Sequence, residues 1–462
     1  RKKPYKKNFF IFGTSFGFGF YLGGIHWIVN SLTFDETFKF LIPLALILIP
    51  LFLSLFFSVL IVIVGPFLNF NIGSVFLLSG GLAFSDFLRA KVLTGFPWNL
   101  WAYSFSWATE FIQLLSKTGL FTFNLIVITF FMLPTFILLK MKLTKKIVLL
   151  FFIPLIYLVL YLYGDFSINQ NKEFLQSQKI KYKIKIISPN FKLEYGLSEK
   201  EINERMDRLI KYSEPNISKT KTLFIWPEGV FSGYNFNEIL SLKNKFEENF
   251  KDNHQILFGV NKLDKEKNRV KNSMVIVNKN LEIISEYHKQ KLVPFGEFLP
   301  FEKILKKIGL KKITEGHGSF LKGNKQENLI INELNILPLI CYEIIFTKFT
   351  QLSSPGTNLI INISEDGWFG NSIGPHQHFA KAIFRAIEQN SFLIRSANKG
   401  VSAIISNKGE IIKKLNINEA GNIELDVHLI KSEKKNKNDL IFFILLITYI
   451  FIFKFTNKHN VR

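Results

Sequence analysis

The chain has 462 residues, 48% of them hydrophobic and 51 of them phenylalanine, which is more apolar material than a soluble core of this size needs. Its net charge of +22 comes from scattered basic residues with short clusters beside apolar stretches, which argues against a nucleic-acid-binding protein. A single cysteine excludes an intramolecular disulfide, and no CxxC or HExxH spacing indicates a zinc site. We therefore expect a membrane portion in a chain of more than one domain.

Long stretches without charged residues predict helices that cross a bilayer, because about 20 apolar residues are needed to span its hydrocarbon core. The segment from Phe40 to Ser85 contains no Asp, Glu, Lys or Arg and is long enough for two helices, with a break near Gly65-Pro66 and Asn69 to Asn71. The predicted spans are Asn8 to Phe34, two within Phe40 to Ser85, Gly119 to Leu139, Ile147 to Gly164 and Leu440 to Phe453. The sequence therefore predicts six membrane-spanning helices.

Basic clusters predict how these spans are oriented, since positively charged loops stay on the cytoplasmic side. The clusters at Arg1 to Lys7, at Lys140 to Lys146 and in the carboxyl-terminal KFTNKHNVR fall on one side of a six-span arrangement. The long segment from about Asp165 to Asn438 then falls on the opposite, non-cytoplasmic side. Its last part, Lys431 to Asn438, reads as a polar connector into the final span.

Arg89 and Lys91 break this charge rule. They lie within Phe87 to Ser104, whose Gly-Phe-Pro-Trp sequence and clustered aromatic residues predict a loop at the membrane interface. Two interpretations of this loop stay open: an ordinary belt of interfacial aromatic residues, or a loop that gates substrate access. The predicted spans themselves contain almost no buried charge, which argues against a transport pathway.

Between the fifth and sixth spans, short β-rich runs alternate with amphipathic helical stretches, which is typical of an α/β domain. The sequence Ser198 to Glu201 is a capping box that predicts a helix through about Tyr212, and His378 to Gln389 has helical spacing of apolar residues. The predicted strands are Ile184 to Ile187, Thr222 to Trp226, Ile256 to Val260, Met274 to Val277, Ile336 to Ile340, Leu359 to Ile363, Phe392 to Arg395 and Ser402 to Ile405.

The only cysteine, Cys341, follows the apolar run Ile336 to Ile340 at a point where a helix can begin. Free backbone N–H groups at such a point favour the thiolate, which is the form that a nucleophile needs. The alternative is a small buried hydrophobe, which describes most free cysteines. Both interpretations stay open from this segment alone.

Two further apolar runs end in groups that can activate a thiol. Glu228 follows the predicted strand Thr222 to Trp226 and a proline, and a partly desolvated carboxylate at such a strand end can act as a general base. Lys289 and Lys291 precede an apolar turn that closes on Glu297, and a fixed ammonium can lower the pKa of a thiol and stabilise an oxyanion. Taken alone, each segment favours the simpler interpretation, a solvated loop glutamate in the first and surface lysines in the second.

Glutamate, lysine and cysteine in this order resemble the carbon–nitrogen hydrolase (nitrilase) superfamily. Together with the predicted spans, the chain resembles the apolipoprotein N-acyltransferase family, which places a nitrilase-like domain between transmembrane segments. The motifs that carry the resemblance are WPEG at Trp226 to Gly229, YHKQKLVPFGEFLP at Tyr287 to Pro300, ICYE at Ile340 to Glu343, NISEDGWFGNSIGPHQHF at Asn362 to Phe379 and FLRAKVLTGFPW at Phe87 to Trp98.

This resemblance implies a multi-span α-helical membrane domain joined to an α/β nitrilase-like αββα sandwich. The expected domains are residues 1–164 with about five transmembrane helices, residues 165–438 as a periplasmic catalytic domain, and residues 439–462 as the last helix and a cytoplasmic tail. The implied location is the bacterial inner membrane. Compared with the family, about two amino-terminal spans are absent, so we expect a truncated or divergent start.

Carried over position by position, the family's catalytic residues fall on Glu228 as the general base, Lys289 as the charge that stabilises the oxyanion, and Cys341 as the nucleophile. Lys291 is the nearest competitor to Lys289, and the motif around the family's lysine registers on Lys289. The family's supporting residues fall on Glu297, Tyr342 and Glu343.

The implied activity is transfer of a fatty acyl chain from a membrane phospholipid to the amino-terminal amine of a diacylglyceryl-modified apolipoprotein, through a thioester on Cys341. The backbone N–H of Tyr342 would complete the oxyanion hole. No metal or organic cofactor is expected; His376 and His378 lack a pattern of partner ligands, and loop polarity is the favoured interpretation of both. Two other functions stay open: a membrane-tethered amidase with the same triad, and a non-catalytic membrane scaffold or transporter.

Overall fold

The computed structural model describes residues 5–178, 181–305, 307, 312, 319–351, 354–432 and 438–459. Most of the predicted polar connector, residues 433–437, and the two chain ends, residues 1–4 and 460–462, lie outside the described residues. The chain divides into two compact units, the first from residues 1–29, 36–172 and 435–462 and the second from residues 30–35 and 173–434. The predicted domain boundaries after residues 164 and 438 stay predictions.

The helices and strands are as follows. The α-helices are α1 Lys6–Ile25, α2 Ile42–Val64, α3 Ile72–Lys91, α4 Leu115–Thr118, α5 Leu120–Phe131, α6 Leu143–Ser177, α7 Glu199–Ser213, α8 Phe236–Ile239, α9 Lys243–Asn249, α10 Glu302–Leu305, α11 Thr347–Gln351, α12 Gly374–Gln389 and α13 Asn438–His459. The strands are β1 Lys181–Ser188, β2 Thr222–Ile225, β3 His254–Asp264, β4 Arg269–Val277, β5 Ile283–His288, β6 Leu329–Ile331, β7 Leu334–Ile340, β8 Leu359–Glu365, β9 Phe392–Asn398, β10 Ser402–Ile405, β11 Ile411–Leu415 and β12 Gly421–His428. Short 3-10 helices include Gly65–Phe67, Leu133–Leu138, Cys341–Ile345 and Asp366–Phe369.

Helices long and apolar enough to cross a membrane make up most of the first unit. Within the described residues there are five: Lys6–Thr33, Glu36–Phe67, Ile72–Lys91, Lys146–Ser177 and Asp439–Asn457. They correspond to five of the six predicted spans, and the predicted break in the longest charge-free segment is present at Gly65–Phe67.

The remaining predicted span, Gly119 to Leu139, is wrong in length. The α-helix in this region, α5, has 12 residues and ends at Phe131. At 1.5 Å per residue it is about 18 Å long, against about 30 Å for a bilayer core. Pro134 lies at the start of the 3-10 helix that follows, where it cannot continue the hydrogen bonding of α5.

The predicted interfacial loop begins later than expected, because α3 continues to Lys91. Arg89 therefore lies in a helix, where it is only 1% exposed. Its guanidinium neutralises Asp86, three residues earlier on the same helix face, at an N···O distance of 2.8 Å. The pair lies just beyond the predicted span, which ends at Ser85, so the longer helix adds a buried ion pair that the predicted bounds left out; the spacing of three residues is the sequence signal for it.

This buried ion pair also holds the loop that follows α3. The guanidinium of Arg89 donates to the carbonyl oxygen of Phe96 and, at 3.1 Å, to that of Asn99. The carboxylate of Asp86 accepts a hydrogen bond at 3.0 Å from the side-chain amide of Asn124 in α5. The side chain of Asn124 in turn accepts the backbone N–H of Ala102 at 3.0 Å. Three backbone attachments to buried side chains favour a fixed loop over a gate.

Two six-stranded sheets form the centre of the second unit. Their strand orders are β12-β1-β2-β3-β4-β5 and β11-β10-β9-β8-β7-β6. Strands β1, β2 and β3 run parallel, as do β7, β8 and β9, and the outer pairs are antiparallel. Because the central strands of each sheet run parallel, their carboxyl ends lie together at one edge of that sheet.

The two sheets pack face to face, and helices cover their outer faces. In β2, Leu223 and Ile225 enter the apolar core shared by both sheets. Phe224 and the following Trp226 point the other way, into a second core with α7 and α9, because side chains alternate along a strand. On the other side, α12 packs on β9 and β10. The predicted αββα sandwich is thus confirmed.

All eight predicted strands are present, and the predicted capping box at Ser198 begins α7. The four strands that the sequence analysis missed, β5, β6, β11 and β12, are the edge strands of the two sheets. An edge strand is open to solvent along one side, so it lacks the continuous apolar run that marked the central strands. In β11, for example, the first four of five residues are exposed.

Replacing Asp86 with alanine is expected to destabilise the first unit by about 3–5 kcal/mol, because the guanidinium of Arg89 would stay buried without its counter-charge. Chemical unfolding of the detergent-solubilised protein measures this change. Lys91→Ala is the control: Lys91 pairs with Asp439 at 3.5 Å, but the two side chains are 39% and 36% exposed, so we expect a loss within about 1 kcal/mol. Equal stability of the Asp86→Ala variant and the wild type would contradict the role of the pair.

Candidate active site

Glu228 lies just after the carboxyl end of β2, where the chain leaves the sheet through Pro227. The backbone N–H of Gly259 in β3 donates to the carbonyl oxygen of Pro227 at 3.4 Å. A glycine is needed at this point, because a Cβ on residue 259 would lie 2.8 Å from the Cα of Glu228. One carboxylate oxygen of Glu228 accepts the backbone N–H of Glu365, at the end of β8, at 3.0 Å. The carboxylate therefore joins a strand end of one sheet to a strand end of the other.

Lys289 brings two carboxylates together. It follows β5 directly, and its backbone N–H donates to the carbonyl oxygen of Asn272 in β4 at 2.9 Å. Its ammonium lies 3.4 Å from Oε1 of Glu228 and 2.8 Å from Oε1 of Glu297, and the side chain is 1% exposed. The side-chain amide of Asn272 donates to the same two oxygens, at 2.7 and 3.0 Å. One buried cation and one amide thus hold two carboxylates in place.

Cys341 is the first residue after β7 and begins the 3-10 helix Cys341–Ile345. Its φ of 47° lies in the left-handed region, which is unfavourable for a residue other than glycine. Cys341 is partly buried, and its thiol lies within the electrostatic influence of Glu228 and Lys289. The structure therefore brings the three predicted catalytic residues together.

Glu343 connects the cysteine turn to the lysine segment. Its Oε1 accepts the backbone N–H groups of Gln290 and Lys291 at 2.7 and 3.1 Å. The hydroxyl of Tyr287 donates to the same oxygen at 2.8 Å. Its Oε2 accepts the backbone N–H of Ile340 at 2.8 Å. Because Glu343 is fully buried and receives four donors, it is suited to hold both segments.

Tyr342 and Lys291 lie beside this cluster. The ring of Tyr342 packs edge-on against Phe346 with 5.1 Å between ring centroids. The ammonium of Lys291 lies 4.7 Å from the centre of the same Phe346 ring. Of the two candidate lysines, Lys289 is the one whose ammonium lies between the two carboxylates.

Known proteins resemble this chain along nearly its whole length. Residues 195–433 match the carbon-nitrogen hydrolase family, and residues 1–133 match the apolipoprotein N-acyltransferase N-terminal domain. A Rickettsia typhi protein named apolipoprotein N-acyltransferase is 33% identical over 453 residues, which cover 95% of this chain and 89% of that protein. This chain belongs to the apolipoprotein N-acyltransferase family. Proteins of the same name from Rickettsia prowazekii and Brucella suis are 33% and 29% identical over 89% of this chain, covering 82% and 78% of their own lengths.

Burial decides the protonation state of the thiol in this member of the apolipoprotein N-acyltransferase family. Burial raises the pKa of Cys341 above its ordinary value, the charge of Glu228 raises it further, and the ammonium of Lys289 lowers it by less. Burial therefore opposes the thiolate that the free N–H groups at this strand end were expected to favour, and a thiol in this position needs a base to lose its proton. For Lys289, burial alone would lower the pKa, but Glu228 and Glu297 outweigh burial and raise it, so the ammonium stays charged.

A buried polar network behind the cysteine turn was missed by the sequence analysis. Oδ1 of Asp366 accepts the hydroxyl of Ser364 at 2.7 Å and lies 2.9 Å from Nδ1 of His378. Arg395 donates to Oδ2 of Asp366 at 2.7 Å. Burial opposes the ionisation of Asp366, but Arg395 and His378 outweigh it and hold the pKa of this carboxyl below its usual range. Nε2 of His378 lies 3.2 Å from the carbonyl oxygen of Cys341.

The loop-polarity interpretation is wrong for His378, which lies on α12 and is fully buried, whereas His376 on the same helix is exposed. A signal for this network was present in β8. Asn362 and Ser364 are alternate residues of this strand, which places their polar side chains on one face, and Asp366 continues the same spacing just after the strand ends. Asn272 carried no comparable signal, because its two carboxylate partners are far from it in the sequence.

The raised pKa of buried Glu365 predicts that the stability of the fold depends on pH. Its carboxylate accepts the backbone N–H of Gly367 at 2.8 Å and the amide of Asn398 at 2.7 Å, and burial raises its pKa from 4.5 to about 8. Because the folded pKa lies above the unfolded one, the stability linked to this proton is complete below the unfolded pKa and is lost as the pH rises to about 8.

Between about pH 5 and pH 8.5, the wild type is expected to lose up to about 4 kcal/mol more stability than Glu365→Gln, at about 1.4 kcal/mol per pKa unit. Chemical unfolding of both proteins at both pH values measures the difference. Glutamine does not titrate, so subtracting the two pH slopes removes the contribution of the histidines and other carboxyls. Identical slopes would show that Glu365 is not the titrating group.

Proposed function

We propose that this protein transfers a fatty acyl chain from a membrane phospholipid to the amino-terminal amine of a diacylglyceryl-modified apolipoprotein, through a thioester on Cys341. The main support is the buried ammonium of Lys289 between Glu228 and Glu297, beside the cysteine turn. The relatives named apolipoprotein N-acyltransferase support the choice of substrates. Both substrates are lipids anchored in a bilayer, which agrees with apolar helices long enough to span one.

In the first step, the sulfur of Cys341 attacks the ester carbonyl carbon of the phospholipid while Glu228 accepts the thiol proton. This base is needed because burial raises the pKa of the thiol. The ammonium of Lys289 and the backbone N–H of Tyr342 stabilise the oxyanion of the tetrahedral intermediate. When the carbon–oxygen bond breaks, Glu228 gives its proton to the departing oxygen. A lysophospholipid leaves, and the acyl chain stays on sulfur.

In the second step, the free amine of the apolipoprotein attacks the thioester carbonyl. Glu228 accepts a proton from the attacking nitrogen and returns it to the sulfur as the carbon–sulfur bond breaks. The products are an amide and the original thiol, so the cycle closes without a cofactor. Glu297 and Asn272 keep Lys289 and Glu228 in position throughout.

We also propose that the predicted catalytic domain, residues 165–438, faces the periplasm at the bacterial inner membrane. The basic cluster Lys140 to Lys146, placed on the cytoplasmic side by the positive-inside bias, supports this orientation. Residues 1–164 would form the membrane domain, and residues 439–462 the last span with a cytoplasmic tail.

The amidase alternative has support from the carbon-nitrogen hydrolase match, because the same residues could hydrolyse an amide with water in place of the amine. The match of residues 1–133 to the apolipoprotein N-acyltransferase N-terminal domain favours acyl transfer. A scaffold without activity would not require two carboxylates and an ammonium held together beside a thiol.

Incubation with phospholipid is expected to leave an acyl adduct on Cys341, which a diacylglyceryl peptide with a free amine then removes. Mass spectrometry measures the adduct, and the assignment is unambiguous because the chain has one cysteine. Cys341→Ser removes the nucleophile and little volume, so we expect no adduct, no turnover and an unchanged unfolding midpoint. Hydrolysis of a small amide with no adduct from phospholipid would favour the amidase instead.

Lys289→Met is expected to lower kcat by about 100- to 1,000-fold, since it removes a group that stabilises the oxyanion. Lys291→Met is the matched control, because the chemical change is the same and the Lys291 ammonium lies over Phe346. We expect kcat of the control to stay within about tenfold of the wild type. Steady-state kinetics and circular dichroism of both variants provide the comparison. A similar loss of kcat in the two variants would contradict the assignment of oxyanion stabilisation to Lys289.

A further inference from the structure

We propose that His378 polarises the peptide group between Cys341 and Tyr342 and thereby strengthens the Tyr342 N–H as the oxyanion donor. His378 is then a positioning residue that acts through the backbone rather than on the thiol. This inference rests on the proposed acyl transfer, in which the Tyr342 N–H helps to bind the oxyanion. It gives a role to the network of Asp366, Arg395 and His378, which the two-step mechanism leaves unused.

The contact of His378 with the cysteine turn is made to the main chain. Nε2 of His378 lies 3.2 Å from the carbonyl oxygen of Cys341. A carbonyl oxygen can only accept, so Nε2 carries the proton and donates it. The C=O of Cys341 and the N–H of Tyr342 belong to one planar trans peptide group and point in opposite directions. The Tyr342 N–H therefore points away from His378.

The orientation of this peptide group needs support, because Cys341 has a φ of 47° and the chain turns there from strand to 3-10 helix. Backbone held in the left-handed region persists when its surroundings determine it. A donor from a fully buried side chain on α12 supplies such a constraint from outside the turn. The direction of the Tyr342 N–H is thus set by tertiary structure as well as by the local helix.

The ring of His378 is held from its other nitrogen. Nδ1 lies 2.9 Å from Oδ1 of Asp366 and 3.1 Å from Nη2 of Arg395. Arg395 also donates to Oδ2 of Asp366 at 2.7 Å, and all three side chains are buried. Gly400 leaves room for this carboxylate, because a Cβ there would overlap with it. Burial lowers the pKa of His378, so with the proton on Nε2 the other nitrogen, Nδ1, accepts from Arg395, and rotating the ring away from the Cys341 carbonyl would break that hydrogen bond.

A hydrogen bond to a carbonyl oxygen draws electron density from the peptide nitrogen and makes the N–H a stronger donor. Such cooperative strengthening is about 10–30% per bond in condensed phases, and burial reduces screening by water. The gain matters where an oxyanion forms, which occurs in both steps of the proposed reaction. It does not matter for reactions of the thiol that form no oxyanion.

Two substitutions at position 378 separate the two contacts. The amide nitrogen of glutamine reaches the place of Nε2, so His378→Gln keeps a donor for the Cys341 carbonyl. The shorter asparagine places its amide near Nδ1, so His378→Asn keeps a partner for Asp366 and loses the bond to Cys341. His378→Asn loses the outside constraint on the direction of the Tyr342 N–H as well as the polarisation, so we expect kcat to fall by about 10- to 100-fold, less than loss of a whole oxyanion donor, with KM within about threefold. His378→Gln should stay within about fivefold of the wild type in kcat.

The decisive measurement compares two reactions of Cys341 in each variant. Iodoacetamide alkylates sulfur by displacing iodide and forms no oxyanion, whereas phospholipid and p-nitrophenyl butyrate acylate it through a tetrahedral oxyanion. We expect His378→Asn to be alkylated at the wild-type rate and acylated slowly by either ester, with both rates followed by mass spectrometry. Equal losses in alkylation and acylation would show a displaced thiol, and unchanged acylation would show no role for His378; either result overturns the proposal.

Acylation of the wild-type protein by the two esters distinguishes a failure of this inference from a failure of the proposed function. Acylation by p-nitrophenyl butyrate but not by phospholipid would refute the proposed acyl donor, and the comparison at position 378 would then use the butyrate ester. Acylation by phospholipid at equal rates in the wild type and His378→Asn would refute only the inference. If His378→Asn does not fold, Asp366→Asn, which removes the charge that holds Arg395 against the ring, takes its place. Because the charge of Asp366 also raises the pKa of the thiol, the acylation rate of this variant is divided by its own alkylation rate; a ratio below that of the wild type is expected, and an equal ratio overturns the proposal.

Discussion

The candidate site depends on a single buried cation, the ammonium of Lys289. Taking a charged group out of water costs several kcal/mol unless opposite charges and hydrogen bonds compensate for it. Here Glu228 and Glu297 supply that compensation at 3.4 and 2.8 Å, and the amide of Asn272 reaches both carboxylates. Each carboxylate is in turn stabilised by the cation. Three separate segments of the chain must therefore meet at one place whenever the second unit is folded.

The sandwich makes this meeting possible because its parallel strands end at common edges. Glu228 follows β2 in one sheet, and Cys341 and Glu365 lie at the ends of β7 and β8 in the other. The backbone N–H of Glu365 donates to Glu228, so the two sheets are connected at the site itself. Glu343 adds a second connection, from the cysteine turn to the segment that carries Lys289. The reacting groups are thus attached to the rigid centre of the fold.

Two charged clusters lie near the cysteine turn and differ in the atoms that they contact. Glu228 and Lys289 act electrostatically on the thiol, whose pKa is raised by burial, so this cluster is suited to move the proton. Asp366 and His378 instead reach the main-chain carbonyl of Cys341 and are suited to hold it still. A histidine close to a cysteine in this fold therefore need not be its base. The distinction depends on which atom the ring nitrogen meets.

The sequence by itself determined the α/β class and the central strands, because long apolar runs with a polar residue at their ends are local signals, and the resemblance of its motifs to a known family singled out the three residues that meet at the site. Only the tertiary structure decided which polar side chains are buried and which residues far away in the sequence they contact. The edge strands lack an apolar run, and Asn272 acquires its role only when β4 lies beside two carboxylates. The direction of the pKa shift of Cys341 follows from packing between the sheets, and the buried state of Arg89 follows from its pairing with Asp86 inside the helix bundle. Desolvation and charges acting through space depend on neighbours that sequence patterns do not reveal.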